Sequence, residues 1–228
     1  MKHSSEKNIN TVKNKLFTMH TIVGIAVFSA LAFVVSMLIR VPVQFLTFDA
    51  KDAIITIAAF IYGPIAAPII SLLAALIELV TISDTGIYGF LMNFISSATY
   101  SATASLIYGR FRSLNGALVG IYSAVIVTTA AMMGANILIT PYFMKVSSDV
   151  VIALLPTLFL PFNFAKTLMN SAAVMLLYKP VTLALSRVGL ISKRTDTRFT
   201  RSSIIIILAG VASLVAAIAI FAYLSLAK

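Results

Sequence analysis

Residues 19–39 read MHTIVGIAVFSALAFVVSMLI, a run with no Asp, Glu, Lys or Arg. An α-helix rises about 1.5 Å per residue, so a run of this length crosses the roughly 30 Å hydrocarbon core of a bilayer. The run is not followed by a small-residue cleavage site, which favours a retained helix over a removed signal peptide. This stretch therefore predicts a first transmembrane span.

The rest of the chain is equally apolar. Of its 228 residues, 60% are hydrophobic and only 11% are charged, and the mean hydropathy is +1.03. A soluble domain of this length needs a larger polar share to cover its surface. The composition therefore predicts an integral membrane protein whose surface is mostly solvated by lipid.

Breaks and charged clusters divide the chain into apolar runs that predict an all-α fold with spans over residues 19–39, 53–62, 65–82, 88–108, 114–139, 162–186 and 203–226. The second run is too short to cross upright and ends at a tight break, Gly63-Pro64. The fifth run is predicted to stop at Thr140-Pro141. Residues 40–47 are predicted to form a loop, and residues 150–160 a loop or partial helix.

The basic residues set the predicted organisation and orientation. We expect a basic tail (1–18), a six-helix membrane domain (19–186), a basic linker (187–202) and an additional seventh transmembrane helix (203–228). Loops on the cytoplasmic side of a membrane carry an excess of Lys and Arg. A cytoplasmic N-terminus places twelve of the seventeen basic residues inside and four outside, with Lys166 within the sixth span. The chain is therefore predicted to be a multi-pass cell-membrane protein with its N-terminus in the cytoplasm.

Several function classes are disfavoured. The net charge of +10 is divided among short clusters between apolar runs, so no basic face for nucleic acid is expected. With no cysteine and two scattered histidines, we expect no metal site. The chain has no G-x-x-x-x-G-K-[ST] phosphate-binding loop and no H-E-x-x-H motif. Neither catalysis nor intrinsic ATP hydrolysis is predicted.

Polar side chains share one predicted depth. An ionisable or amide side chain inside a span is costly and usually faces protein or a cavity. Such residues fall near the outer ends of four spans, namely Glu78, Asn93, Asn136, Asn163 and Lys166. Asn163, Lys166 and Asn170 are spaced three and four apart, so they lie along one helical stripe. Amides and one ammonium beside apolar walls are typical of a small-molecule site.

Structural roles for these residues remain open at this point. The Lys166 side chain could extend to the outer headgroups, and the asparagines could join helices without contacting a ligand. Glu78 could form an ion pair with Lys166 or accept hydrogen bonds from ligand hydroxyls. Asp49 and Asp52 are candidates to cap the second helix, and Asp49 is also a weaker candidate ligand contact.

Small residues mark a possible docking surface on the first span. Ala26 and Ala30 are four residues apart, a spacing that lets another helix approach closely. The partner could be a helix of this chain or a separate membrane subunit.

Five stretches in order along the chain resemble one family. They are LTFDAKD (46–52), YGP (62–64), GFLMNF (89–94), NILITPY (136–142) and PFNFAK (161–166). Together they resemble the substrate-binding S components of energy-coupling factor (ECF) vitamin transporters, and within them the riboflavin-specific RibU group. The resemblance covers most of residues 19–180.

This resemblance implies a six-helix bundle with a flavin site that opens outward under the first loop. It implies that Asn163 and Lys166 contact the isoalloxazine ring, with Asn136 nearby, and that Leu46, Phe48 and Asp49 of the first loop border the ligand. It further implies riboflavin or FMN as transported ligand, with no resident cofactor.

The resemblance also implies partners. Ala26 and Ala30 would meet a transmembrane coupling protein, whose complex carries two ATPase subunits. The seventh span lies outside the six-helix pattern. Two alternatives remain, an S component for a different vitamin and a stand-alone secondary transporter or membrane scaffold.

Overall fold

A computed structural model describes residues 18–111, 113–187 and 201–226. Within these ranges the chain forms eight α-helices and one β-hairpin: α1 Met19–Leu38, β1 Arg40–Val43, β2 Leu46–Asp49, α2 Lys51–Tyr62, α3 Ala66–Thr81, α4 Gly86–Phe111, α5 Leu114–Met144, α6 Ser148–Leu154, α7 Leu160–Arg187 and α8 Arg201–Leu226. A five-residue π-helix, Leu155–Phe159, joins α6 to α7. The predicted basic tail and linker lie outside the described residues except at their edges.

The predicted all-α membrane fold with an additional helix is confirmed. In the part of the chain that the structure describes, four helical stretches are long and apolar enough to cross a membrane: Met19–Leu38, Asn115–Met144, Ser148–Tyr178 and Ile204–Leu224. Large apolar side chains cover their outer faces, for example Val27, Ile126 and Leu208, which are 58%, 69% and 63% exposed. Such a surface suits lipid contact.

The segment that was predicted to be a loop, residues 40–47, forms most of an antiparallel hairpin. Arg40 pairs with Asp49 and Val43 with Leu46, so the turn contains only Gln44 and Phe45. Gln44 has a φ of 55°, a left-handed conformation that lets the chain reverse within two residues. Each strand has four residues, too few for the sequence pattern to separate a strand from a loop.

The prediction that the fifth span ends at Thr140-Pro141 was wrong. α5 continues to Met144 with Pro141 inside it, and it ends where Lys145 adopts a left-handed conformation and donates its N–H to the Pro141 carbonyl. A proline inside a helix removes one hydrogen bond and can kink the helix without ending it. Residues 150–160 belong mostly to α6 and the π-helix, so the partial-helix alternative is correct.

Close contacts join α4 to two neighbouring helices. A Cβ atom on Gly120 of α5 would lie 2.6 Å from the Ala104 carbonyl oxygen of α4, so only glycine fits at this crossing. Tyr100 of α4 is fully buried, and its hydroxyl lies 2.7 Å from the Ser171 hydroxyl of α7. α4 therefore packs closely against α5 and is linked to α7 by a hydrogen bond.

Candidate functional site

A cavity of about 450 Å³ opens at the end of the bundle that carries the hairpin. The hairpin and the α3–α4 turn border it, together with the adjoining ends of the helices. Its volume is within the usual range for sites that bind a small molecule. Seven of the predicted ligand contacts line this cavity: Leu46, Asp49, Glu78, Asn93, Asn136, Asn163 and Lys166.

Glu78 of α3 is a hydrogen-bonding centre for three other helices. Its carboxylate accepts from the Lys51 ammonium at 2.6 and 2.8 Å, from the Ser36 hydroxyl at 2.6 Å and from the Asn93 amide at 3.1 Å. Glu78 is only 5% exposed. The suggested pair with Lys166 was therefore wrong, because Lys51 is the ammonium that lies against Glu78.

Lys166 of α7 contacts the hairpin instead. Its Nζ donates to the Asp49 carboxylate at 2.7 Å, and both side chains are buried. Burial by itself raises the pKa of the Asp49 carboxyl, but the ammonium groups of Lys166 and Lys51 outweigh this effect and hold that pKa below its ordinary value. Asp49 is therefore an anion that neutralises Lys166 on the cavity wall.

Asn136 and Asn163, the two amides predicted to lie near a ligand, are held in place by hydrogen bonds to residues four positions away in the sequence. The Asn136 Nδ2 donates to the Met132 carbonyl at 2.7 Å and its Oδ1 accepts from the Thr140 hydroxyl at 2.9 Å. The Asn163 Nδ2 donates to the Phe159 carbonyl at 2.8 Å. An amide nitrogen carries two hydrogens. Among the described residues only one hydrogen of each amide is used, so the second can be offered to a ligand.

Phe48 and Asn170 do not line the cavity. Phe48 is 3% exposed and packs edge-on against Phe162, with ring centroids 4.7 Å apart. Asn170 is fully buried; it donates to the Asp49 carbonyl at 2.9 Å and accepts from the Ala53 N–H at 3.0 Å. Asn170 therefore fixes the junction of the hairpin and α2 to α7, next to the Lys166 contact with Asp49.

The cap of α2 differs from the expectation. The helix N-cap is Ala50, which makes no side-chain cap bond, so neither Asp49 nor Asp52 is the N-cap. The Asp49 carboxylate nevertheless accepts from the Lys51 N–H at 3.3 Å in the first turn. Asp52 is fully buried and accepts a hydrogen bond from the Ser97 hydroxyl. Both carboxylates thus accept hydrogen bonds near the start of α2, although neither residue occupies the N-cap position.

Sequence reasoning missed several residues of the site. Lys51 was not among the predicted ligand contacts, yet it is 1% exposed and forms part of the cavity wall. Ser36, Met132 and Thr140 also line the cavity. The available signal was a lysine next to an aspartate at a predicted helix start. Helical side chains lean toward the N-terminus of their helix, so this lysine could reach the end of the bundle where the other polar residues were expected.

Ala26 and Ala30 lie on the exposed face of α1. Gly24 and Phe28 on the other face are buried, and a Cβ atom on Gly24 would lie 2.1 Å from the Tyr62 hydroxyl. The two alanines are therefore not the contact through which α1 packs within this chain.

Three comparisons with known proteins agree. The family model for the substrate-specific component of ECF transporters matches residues 20–178. The chain is 28% identical over 197 residues to a riboflavin transporter, RibU, of Staphylococcus aureus, covering 81% of this chain and 100% of that protein.

The fold is also similar to a solved S component of a bacterial ECF transporter. The TM-score is 0.63 at 28% identity, over 73% of this chain and 97% of the solved one. The family match covers more than half of the sequence. The chain belongs to the family of substrate-specific components of ECF transporters.

Proposed function

We propose that this chain captures riboflavin outside the cell and presents it to partner subunits for ATP-driven uptake. The observation that carries the proposal is the convergence of Asn136, Asn163 and Lys166 on one cavity at the hairpin end of the bundle. The likeness to a riboflavin transporter supports the choice of ligand. The chain acts in this proposal as a binding protein, with no cofactor and no reaction of its own.

The chemistry of the cavity suits a flavin. An isoalloxazine ring has flat apolar faces and an edge of carbonyl oxygens and ring nitrogens, and its ribityl chain carries hydroxyl groups. Amides and an ammonium can donate to the ring edge, while a carboxylate can accept from hydroxyls. Phe45, Met92 and Phe162 supply apolar wall beside these groups.

Riboflavin is favoured over FMN because both cavity lysines are already neutralised. Lys51 lies against Glu78 and Lys166 against Asp49, at 2.6 and 2.7 Å. Arg40, a third cation of the cavity lining, is likewise paired with Asp84 at 2.9 Å, so among the described residues that line the cavity a phosphate group would meet no uncompensated positive charge. Transfer of a doubly charged group without a counter-charge is costly.

S components work with a module of membrane and ATPase subunits. We assign the exposed Ala26 and Ala30 of α1 to the contact with the transmembrane coupling protein, which two ATPase subunits drive. Small exposed side chains permit close helix–helix packing in a bilayer. A cytoplasmic N-terminus in the cell membrane agrees with the distribution of basic residues.

Two measurements test the proposal and separate it from its alternatives. A thermal-shift panel of riboflavin, FMN and other vitamins should raise the melting temperature most with riboflavin, since a ligand that binds only the folded state stabilises it. A larger shift with another vitamin would reassign the ligand within the same family. Proteoliposomes that hold this chain alone should not accumulate riboflavin; accumulation without partners and ATP would support a stand-alone transporter.

A further inference from the structure

α8, the additional helix, contacts the hairpin through the aromatic ring of Phe221. Phe221, in the last turns of α8, packs edge-on against Phe48 of β2, with ring centroids 5.4 Å apart and an interplanar angle of 88°. We propose that Phe221 is a positioning residue for the hairpin, so that α8 holds the border of the cavity in place and slows the release of its ligand. The ligand part of this inference rests on the proposed function.

The contact continues from the hairpin to the cavity wall. Phe48 lies between the rings of Phe221 and Phe162, and Phe162 lines the cavity. Thr47 and Asp49, the neighbours of Phe48 in β2, also line the cavity, as expected when successive strand residues point to opposite sides. A displacement of Phe48 would therefore move two residues that border the ligand.

Further apolar contacts join α8 to the hairpin. Val43 of the hairpin and Leu224 of α8 belong with Phe48 to one buried cluster, and each is about 5% exposed or less. Ile220 and Phe221 pack against the same cluster. The end of α8 is thus one support of the hairpin on the side away from the cavity, beside α6, the π-helix and α7.

α8 is itself fixed against the bundle, so it can support the hairpin. Gly210, Ser213 and Ala217 lie along one stripe and are buried. A Cβ atom on Gly210 would come within 3.3 Å of the Met175 Cβ of α7, and the Ser213 hydroxyl lies 3.0 Å from the Tyr122 hydroxyl of α5. Small residues at such spacing permit close helix packing in lipid.

The family match ends at residue 178, before α8 begins. The support that α8 gives to the hairpin is therefore a feature of this chain that the match does not include. This support gives α8 a structural role in addition to its contact with lipid.

The test compares Phe221→Ala with Ile218→Ala. Ile218 is 58% exposed on the same helix, so its truncation removes apolar volume without touching the hairpin. Hydrogen exchange is measured on residues 41–48 and on the core of α4 in the full chain without ligand. Riboflavin dissociation is measured by the recovery of its fluorescence after dilution.

We expect Phe221→Ala to speed exchange in the hairpin but not in α4, and to raise the dissociation rate about two- to tenfold, the contribution typical of one aromatic pair. Phe221→Leu, which keeps most of the apolar volume, should show a smaller change in the same direction even if the alanine variant folds poorly. Hairpin exchange equal to that of Ile218→Ala would overturn the inference. If the unaltered chain binds no riboflavin, the proposed function fails, while the exchange experiment still decides the role of Phe221.

Discussion

Lys51 and Glu78 form a buried ion pair in the cavity wall, with the ammonium 2.6 and 2.8 Å from the two carboxylate oxygens. The pair joins α2 to α3, and Ser36 and Asn93 bring α1 and α4 to the same carboxylate. Four helices thus meet at one charged group. The site is held together by the residues that also give it its polarity.

Removal of Lys51 should be costly for stability. Lys51→Ala leaves the Glu78 carboxylate buried without its counter-charge, and breaking such a pair lowers the free energy of unfolding by about 3–5 kcal/mol. Lys145→Ala, which removes the same charge from an exposed position, is the control. Thermal unfolding in detergent checks the difference, and equal melting temperatures for the two variants would contradict the structural role given to the pair.

Asn163 should contribute to binding rather than to folding. Asn163→Ala removes an amide that lines the cavity, so we expect riboflavin to bind about 1–3 kcal/mol more weakly, the cost of a lost buried hydrogen bond. Fluorescence titration measures the dissociation constant. Asn115→Ala, at the exposed start of α5, should leave affinity unchanged. An unaltered affinity of the Asn163 variant would remove this residue from the site.

The preference for riboflavin over FMN should depend on Glu78. Glu78→Gln removes the nearest counter-charge of the Lys51 ammonium and leaves it only the Asp49 carboxylate at 4.0 Å, which favours a phosphate. For unit charges roughly 8–15 Å apart at an effective dielectric constant of about 20, the gain is about 1–2 kcal/mol, or about five- to thirtyfold in the affinity ratio. Asp149→Asn removes an exposed negative charge as the control. The measurement is the ratio of the dissociation constants for riboflavin and FMN in each variant. A ratio that is the same in Glu78→Gln and in the unaltered chain would argue against charge neutralisation as the source of selectivity.

The crossing of α4 and α5 should tolerate only glycine at position 120. Gly120→Ala places a Cβ atom 2.6 Å from the Ala104 carbonyl oxygen, so the helices must separate, at a cost of about 1–3 kcal/mol. Gly134→Ala is the matched control, since Gly134 lies in the same helix and a Cβ atom there has no neighbour within 4 Å. This second change should be neutral or stabilising by up to about 1 kcal/mol. Melting temperatures of the two variants should therefore move apart.

Much of the site could be predicted because polar side chains in apolar helices are rare and expensive. Glu78, Asn136 and Lys166 each interrupt an apolar run, and the lengths of the runs place them at a similar depth. Helical spans and their order follow from the same apolar pattern. The depth of a residue and the order of the spans depend only on position along the sequence, so they can be predicted without knowing how the helices pack.

The choice of partners could not be predicted in this way. Whether Glu78 meets Lys51 or Lys166 depends on the rotation of each helix about its axis, which is set by tertiary packing. Phe48 was expected at the ligand because the segment around it resembles a binding loop. In a strand, however, its side chain points away from the cavity while those of its neighbours Thr47 and Asp49 border it, and strands of four residues give too weak a pattern to reveal this alternation.

The central claim is that the cavity beneath the hairpin holds riboflavin, and the molecule that copurifies with the chain tests it most directly. Protein extracted gently from native membranes should show flavin absorbance at a near-equimolar ratio, and denaturation should release a compound that migrates as riboflavin. A colourless preparation that also fails to quench added riboflavin fluorescence would contradict the claim.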